Sequence, residues 1–486
     1  MDSHDSQLHI SFFPFMGPGH MLPTIDIAKL FAFRGLKVTI ITTPSNAAVD
    51  STLQKTKELG FEIKLLFIKF PYAELGLPEG CDAKLMFQPQ LRRKLCKIIP
   101  SMQHSLEELL QQHRPACLVA DTIFPWATDA AKKYGIPRFV FHGSCFFSVC
   151  ASICLYKHKP HHKAISDSEP FLIPDLPDEI KLSKNQLPDY IKQEEVDEII
   201  YAFYKSALEA EFTSDGAIVN SFYELEPAYA DHYTKLTGRR GWHIGPVSLC
   251  NEDFDEKAQR GNEAGNNQNK YCLRWLDSKP PSSVIYVCFG SMTNFSDSQL
   301  MEIAAGLEAS GQHFIWVVKK EKEDKGNGKW LPEGLEKRVE EKGLIIRGWA
   351  PQLLILNHVA VGGFVTHCGW NSTLEGVAAG LPMVTWPVSA EQFYNEKLII
   401  QVLKIGVSVG AQKWIRVFGD YVKKEAIAKA VTRIVIGEEA EGMRKRARAL
   451  ADKSKAAVTE GGSSHNELNH LIQELKALRT EKLMLQ

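Results

Sequence analysis

Two residues far apart in the chain have side chains that could share one piece of chemistry. His20 lies in the stretch PFMGPGHMLP, residues 14–23, after an apolar β-type run and before a helical pattern. A neutral imidazole placed where a strand's carboxyl end meets a helix N-terminus can take the proton of a hydroxyl group. Position alone also allows a histidine that merely bonds to backbone at a helix start. Asp121 closes the apolar run of LVADTIFPW, residues 118–126, so it too lies at a strand's carboxyl end. A carboxylate bonded to a histidine's second nitrogen fixes the tautomer and stabilises the imidazolium. Aspartate is equally a common cap or turn residue. Gly17 and Gly19 resemble the start of a dinucleotide-binding loop, but the third position is Leu22. The second strand ends in Ile40, Ile41, Thr42 and Thr43 without a carboxylate, which disfavours a nicotinamide dinucleotide.

A second group of candidates lies between residues 348 and 397. The run GGFVTH at 362–367 leads through Cys368, Gly369, Trp370 and Asn371 into STLEG at 372–376, the pattern of strand, tight loop and helix. Free N–H groups and a partial positive charge at a helix start suit a diphosphate. His367, Asn371 and Ser372 can add side-chain donors, and Gly369 allows close backbone approach. Ser372 and Glu375 also match a capping box, the preferred reading of Glu375 taken alone. Glu391 and Gln392, in SAEQ after another strand, suit the hydroxyls of a sugar. Trp349, Ala350 and Gln352, in WAPQ, offer a flat ring and nearby polar groups; an isolated tryptophan is more commonly structural. Ser291, at the end of SSVIYVCFGS, marks another strand-to-loop junction suited to a phosphate.

These residues need elements to position them. Apolar β-type runs predict strands at 9–14, 37–42, 62–67, 117–120, 138–142, 217–221, 283–289, 313–318, 343–347, 363–366, 382–386 and 406–409. Many are continuous rather than alternating, as in parallel strands buried on both faces. Alternation with helical segments predicts an α/β, doubly wound architecture. Residues 251–270 (NEDFDEKAQRGNEAGNNQNK) carry too little apolar surface to offset their ordering entropy and are expected to form a linker or mobile loop. Residues 319–329 read as a surface loop. Leu468, Leu471, Ile472, Leu475 and Leu478 share a helical spacing, so the tail is expected to dock as an amphipathic helix.

Composition sets the outer bounds. The chain has 486 residues, 44% of them apolar, ample for large cores. With 57 basic and 58 acidic residues, a net charge of −1 gives no global attraction to nucleic acid. Ten cysteines, none in a CxxC pair, fit buried reduced thiols better than a disulfide scaffold and imply a reducing compartment. The acidic N-terminus lacks the basic region of a secretory signal. The apolar run at 144–156 is too short to span a bilayer and reads as a buried helix. Together these features imply a cytoplasmic protein without stable membrane insertion. The histidines of KHKPHHK (His158, His161, His162) read as solvated, and the RKRAR run at 444–448 as an exposed helix face.

Trp349 to Gln392 spans 44 residues, begins WAPQ, passes through HCGWNSTLEG and ends AEQ. This stretch closely resembles the signature box of the plant family 1 UDP-dependent glycosyltransferases of small molecules. The resemblance extends over the chain through PGHMLP, FPW at 124–126, NSFYELE at 220–226, HIGP at 243–246 and FGS at 289–291; AEQFYNEKL resembles the subgroup acting on terpenoids, steroids and flavonoids. It implies a GT-B fold, two Rossmann-like doubly wound domains facing a cleft. An acceptor-binding domain would occupy 1–250 and a UDP-sugar domain 271–465, with a helix at 466–486 packing back on the first. By the same resemblance His20 is the general base and Asp121 its orienting partner, with Gly19 and Phe124 at the acceptor. Trp349 would stack on uracil beside Ala350 and Gln352. Glu375 would hold the ribose hydroxyls, displacing the capping-box reading. Ser291, His367, Gly369, Asn371 and Ser372 would surround the phosphates, and Trp370, Glu391 and Gln392 would face the sugar. Glu391 stands where many relatives carry aspartate.

The implied reaction is an inverting, metal-independent transfer without a cofactor, UDP-sugar being a co-substrate. Gln392 favours glucose, with galactose and glucuronate as alternatives. The acceptor would be a small apolar metabolite with a hydroxyl or carboxyl group. A triterpenoid or steroid, or its glycoside, is preferred over a flavonoid, and the protein is expected to act as a monomer. Acceptor choice would rest on residues 81–91, Phe124, 144–149 and 201–204. A non-catalytic sugar-nucleotide binder would lack His20 or Asp121, and both are present.

Overall fold

The computed structural model describes residues 7–44, 53, 56–79, 89–192, 197–260, 267–319 and 330–484. The chain forms two compact units: Met1–Tyr156, Asp189–Glu252 and Ala456–Gln486 make the first, and Lys157–Pro188 with Asp253–Lys455 make the second. Each is built on a fully parallel sheet.

In the first unit β1 (His9–Phe13), β2 (Lys37–Thr42), β3 (Ile63–Phe67), β4 (Cys117–Asp121), β5 (Arg138–His142), β8 (Gly216–Val219) and β9 (Gly241–His243) lie in the order β3-β2-β1-β4-β5-β8-β9. Between β5 and β8 the chain makes a short antiparallel pair, β6 (Phe171–Leu172) with β7 (Lys181–Leu182), which belongs to the second unit. The alternation of side chains explains the continuous apolar runs. Ile10 and Phe12 of β1 and Cys117 and Val119 of β4 enter one core; Phe13, Leu118 and Ala120 enter the other. The order reverses direction between β1 and β4, where Phe13 is in register with Ala120. Such a switch point opens a crevice beyond the strands' carboxyl ends.

The second unit repeats the plan. β10 (Val284–Cys288), β11 (His313–Val318), β12 (Gly343–Arg347), β13 (Val361–Thr366), β14 (Met383–Thr385) and β15 (Gly406–Ser408) lie in the order β12-β11-β10-β13-β14-β15. Its switch point falls between β10 and β13, with Cys288 in register with Thr366.

The helix Ser463–Met484 closes one face of the first unit. Leu468, Leu471, Ile472 and Leu475 are buried in the core shared with β1 and β4, each contributing roughly 1.5–3 kcal/mol. Leu478, expected in the same stripe, is exposed. Polar contacts fix the helix along its length: Ser464 Oγ donates to Gly245 O at 2.6 Å, Arg240 Nη2 to Glu467 Oε1 at 3.0 Å, and Arg34 Nε to Asn469 Oδ1 at 2.9 Å.

The structure differs from the sequence reading in several elements and boundaries. The three-residue strand β9 and the β6–β7 pair are too short to leave a periodic signal. Residues 157–188 leave the first unit, and residues 456–465 join it. Residues 261–266 lie outside the described residues, but 251–260 are anchored rather than free. Asn251 is buried and bonds Lys29 and Asp26 at 2.9 Å each, and Phe254–Gln259 forms a helix capped by Asp253. Polar pairs, invisible to a tally of apolar surface, hold this segment. His161 is buried rather than solvated. The run 144–156 does form a buried helix, Phe146–His158, and no helix among the described residues is long and apolar enough to cross a membrane.

Candidate functional site

The crevice of the first unit holds the His20–Asp121 pair. β1 ends at Phe13, and the helix Pro18–Ala32 starts earlier than the sequence suggested, with Gly17 at its cap and Pro18 preset for the first turn. His20 therefore lies in the helix's first turn, its backbone N–H bonded to Gly17 O at 2.9 Å. Asp121 is the last residue of β4, and its side chain is fully buried. His20 Nδ1 and Asp121 Oδ2 are 2.6 Å apart. Asp121 Oδ1 accepts from Ile123 N at 3.0 Å, and Oδ2 also accepts from Phe15 N at 3.4 Å. With the carboxylate receiving Nδ1–H, the neutral ring's lone pair is on Nε2, the atom able to take a proton. Phe15 meets the His20 ring edge-on at 5.6 Å, and a Cβ at Gly143 would come 3.1 Å from Cε1, so the ring is confined on these sides while its side chain stays 29% exposed.

Behind the pair is a charge that sequence reading did not single out. Arg138, 1% exposed, donates to Ala120 O at 3.2 Å and Asp121 O at 3.1 Å, fixing the strand end that presents the carboxylate. Burial pulls its guanidinium down to about 10, still charged at neutral pH, and Glu211 and Asp121 oppose that shift. Gly19 is exposed beside His20. Phe124 is not a surface for an acceptor: it is fully buried, stacked on Phe13 with ring centroids 4.1 Å apart, because the aromatic run after β4 folds into the core. Residues 81–88 of the expected acceptor loop lie outside the described residues.

In the second unit the candidate residues gather at the other switch point. The helix Trp370–Ala378 begins with Gly369 as its cap and no side-chain cap, so the capping box of Ser372 and Glu375 does not form. Both residues lie inside the helix, and Glu375 turns to other partners. Gln352, opening the helix Gln352–Leu356 after β12, donates from Nε2 to Glu375 Oε2 at 2.7 Å and to Ser372 Oγ at 3.2 Å. Tyr286 OH donates to Gln352 Oε1 at 3.4 Å, which fixes the amide's orientation. Arg260 completes the cluster through Nη1 to Glu375 Oε1 at 2.6 Å. Trp349 is half-buried in the turn after β12, and Ala350 is buried.

His367 follows β13 and is clasped by two glycines. A Cβ at Gly290, whose φ is +68°, would come 2.6 Å from the ring; one at Gly369 would come 2.4 Å from Nε2. Burial, then Lys319, lowers its pKa to about 4. It is therefore a neutral donor at pH 7, not the positive charge a protonated histidine would supply. Lys319 donates to Ser291 O at 2.5 Å and Thr293 O at 2.7 Å, tying down the loop that exposes Ser291. Asn371 follows in the helix's first turn. Trp370 is 2% exposed, so its indole supports the helix and presents no face to a sugar; the motif marks the position but not its depth.

Glu391 and Gln392 follow a turn at Ala390, φ +50°, whose carbonyl accepts from Trp414 Nε1 at 3.0 Å. Gln392 Oε1 accepts from Val388 N and Ser389 N at 2.9 Å each, leaving its NH₂ as the group it can offer a ligand. Asn395 Nδ2 donates to Cys368 O at 2.8 Å and to Glu391 Oε1 at 3.2 Å, joining this turn to the His367 loop. Its position four residues after Glu391 on a helix was the signal available in the sequence.

Two Rossmann-like units, each with polar side chains gathered at its switch point, define an α/β scaffold with a ligand crevice in each unit. The family model for UDP-glucoronosyl and UDP-glucosyl transferase matches residues 83–414. The chain is 53% identical to the scopoletin glucosyltransferase of Nicotiana tabacum, covering 96% of this chain and 98% of that protein. It is 54% identical to UDP-glucose flavonoid 3-O-glucosyltransferase 7 of Fragaria ananassa, covering 97% of each. The crystal structure of Glycyrrhiza uralensis UGT73P12 complexed with glycyrrhetinic acid 3-O-monoglucuronide superposes with a TM-score of 0.90 at 41% identity, covering 98% of this chain and 97% of that one. The fold is GT-B, and the chain belongs to the plant family 1 UDP-glycosyltransferases.

Proposed function

We propose that this enzyme transfers glucose from UDP-glucose, with inversion and without a metal, to a hydroxyl group of a small plant metabolite. The 2.6 Å contact between His20 and Asp121 at the carboxyl ends of β1 and β4 carries the proposal. His20 Nε2 takes the hydroxyl proton as the acceptor oxygen attacks the anomeric carbon, and Asp121 stabilises the imidazolium. The bond from that carbon to the diphosphate oxygen breaks, its electron pair leaving with UDP. An α-linked donor thus yields a β-glycoside. The amides at the start of Trp370–Ala378, with His367, Asn371 and Ser372, receive the diphosphate. Trp349 stacks on uracil, Glu375 and Gln352 hold the ribose, and Glu391 with the NH₂ of Gln392 reads the sugar. The names of the 53% and 54% identical relatives support a phenolic acceptor and glucose. The 41% identical structure, complexed with a triterpenoid glucuronide, supports a triterpenoid glycoside as the second reading.

The test incubates the purified protein with UDP-glucose, UDP-galactose or UDP-glucuronate and a panel of coumarins, flavonoids and triterpenoids, with products identified by mass. A glucoside from UDP-glucose is the expected result. Product from UDP-galactose or UDP-glucuronate but not from UDP-glucose would overturn glucose as the donor.

A pH effect follows from His367. In the free protein it protonates only near pH 4, well below the ordinary histidine value. A bound diphosphate favours the protonated ring, so binding takes up protons below neutral pH. UDP-glucose affinity is expected to rise severalfold from pH 7.5 to 5.5, and His367→Gln to flatten that slope, both measured by calorimetry.

A further inference from the structure

Both oxygens of Glu375 are already engaged. Oε2 receives the Gln352 amide, and Oε1 receives Arg260 Nη1 at 2.6 Å. The pair is nearly dry, with side-chain exposures of 8% for Arg260 and 4% for Glu375. Its delivery is structural. Asp253 caps the helix Phe254–Gln259, Arg260 ends that helix with its N–H bonded to Glu256 O at 3.1 Å, and the helix packs against Gln352–Leu356. The guanidinium thus reaches Glu375 from the corner that also supplies Gln352. A cation at a helix's carboxyl end is favoured by the helix dipole.

A ribose diol and a guanidinium are both donors seeking carboxylate oxygens. A buried ion pair is opened at little cost only when another donor takes the vacated oxygen. We propose that Arg260 is a built-in competitor for the nucleotide: its guanidinium holds the Glu375 oxygen that a ribose hydroxyl must take. This rests on the reading of Glu375 as the ribose acceptor. Nucleotide binding exchanges the ion pair for ribose hydrogen bonds, and the pair re-forms as UDP leaves. Arg260 thereby sets nucleotide affinity and hastens product release.

Calorimetry of the full chain with UDP and 2′,3′-dideoxy-UDP tests this, using wild type, Arg260→Gln, Arg260→Lys and Glu375→Gln, with thermal melts to confirm folding. Arg260→Gln is expected to bind UDP about tenfold more tightly, with dideoxy-UDP unchanged and Arg260→Lys between. Equal or weaker UDP binding by Arg260→Gln, with Glu375→Gln still weakened, overturns the competitor role alone. UDP binding by Glu375→Gln equal to wild type overturns the ribose reading and the competitor role together. A fall in melting temperature of Arg260→Gln that UDP does not restore makes Arg260 a structural support and overturns the proposal.

Discussion

Replacing His20 with alanine is expected to lower the transfer rate by about 100- to 10,000-fold, the range typical of a lost general base, while UDP still binds. The separation follows from the topology: His20 and Asp121 belong to the first unit, whereas the proposed nucleotide contacts belong to the second. Asp121→Asn is expected to lose activity on a similar scale, for a reason visible in the hydrogen bonds. Asp121 Oδ1 accepts from Ile123 N, and Oδ2 accepts from Phe15 N and faces His20 Nδ1. An asparagine has one acceptor oxygen. If it serves Ile123, its NH₂ faces His20 and forces the ring proton onto Nε2, which removes the base. If it turns over, its NH₂ opposes the Ile123 N–H. Single-turnover assays alongside UDP calorimetry check both variants. A His20→Ala enzyme within threefold of wild type would overturn the assignment.

The second large effect is expected at Gly369. Its φ of −60° suits alanine, so backbone strain is not the issue. The added methyl would come 2.4 Å from His367 Nε2, far inside contact distance. The same Cε1–Nε2 edge of the ring already lies close to Gly290, where an added Cβ would come 2.6 Å from it, so little room remains along that edge. Gly369→Ala must therefore shift His367 or the first turn of the helix, both proposed to touch the diphosphate. UDP affinity is expected to fall about 10- to 100-fold, or about 1.4–2.8 kcal/mol, with a rise in KM for the donor and little change in melting temperature. Unchanged KM and UDP binding would place the phosphates elsewhere.

Much of the scaffold was legible because parallel strands buried on both faces are continuous apolar runs. Each of the twelve expected strands has a counterpart, and the residues just beyond β1, β4, β10 and β13 already marked the crevices. Other features lack a local pattern. β9 is three residues, Gly241–His243, and gains its place by pairing with β8. Arg260 lay in a polar segment where nothing signals a partner over a hundred positions away. Phe124 and Trp370 carry recognisable motif positions, but motif identity does not reveal burial. Arg138 opens an apolar strand without any local signal of its role, which lies in its bonds to two carbonyls on the neighbouring strand.

The terminal helix has a consequence for how the chain is made. All seven strands of the first sheet have been translated by His243, but the helix that covers one face begins at Ser463. At ordinary elongation rates, the intervening 220 or so residues take roughly 10–40 s to synthesise. During that interval the surface that Leu468, Leu471, Ile472 and Leu475 will cover remains open to water and to other nascent chains. The second unit, complete by Lys455, can fold on the ribosome before the first is closed, reversing the usual N-to-C order. A nonsense mutation just ahead of Ser463 would leave the second unit intact in sequence while exposing an apolar wall on the first, and quality control would meet an aggregating protein rather than a merely shortened one.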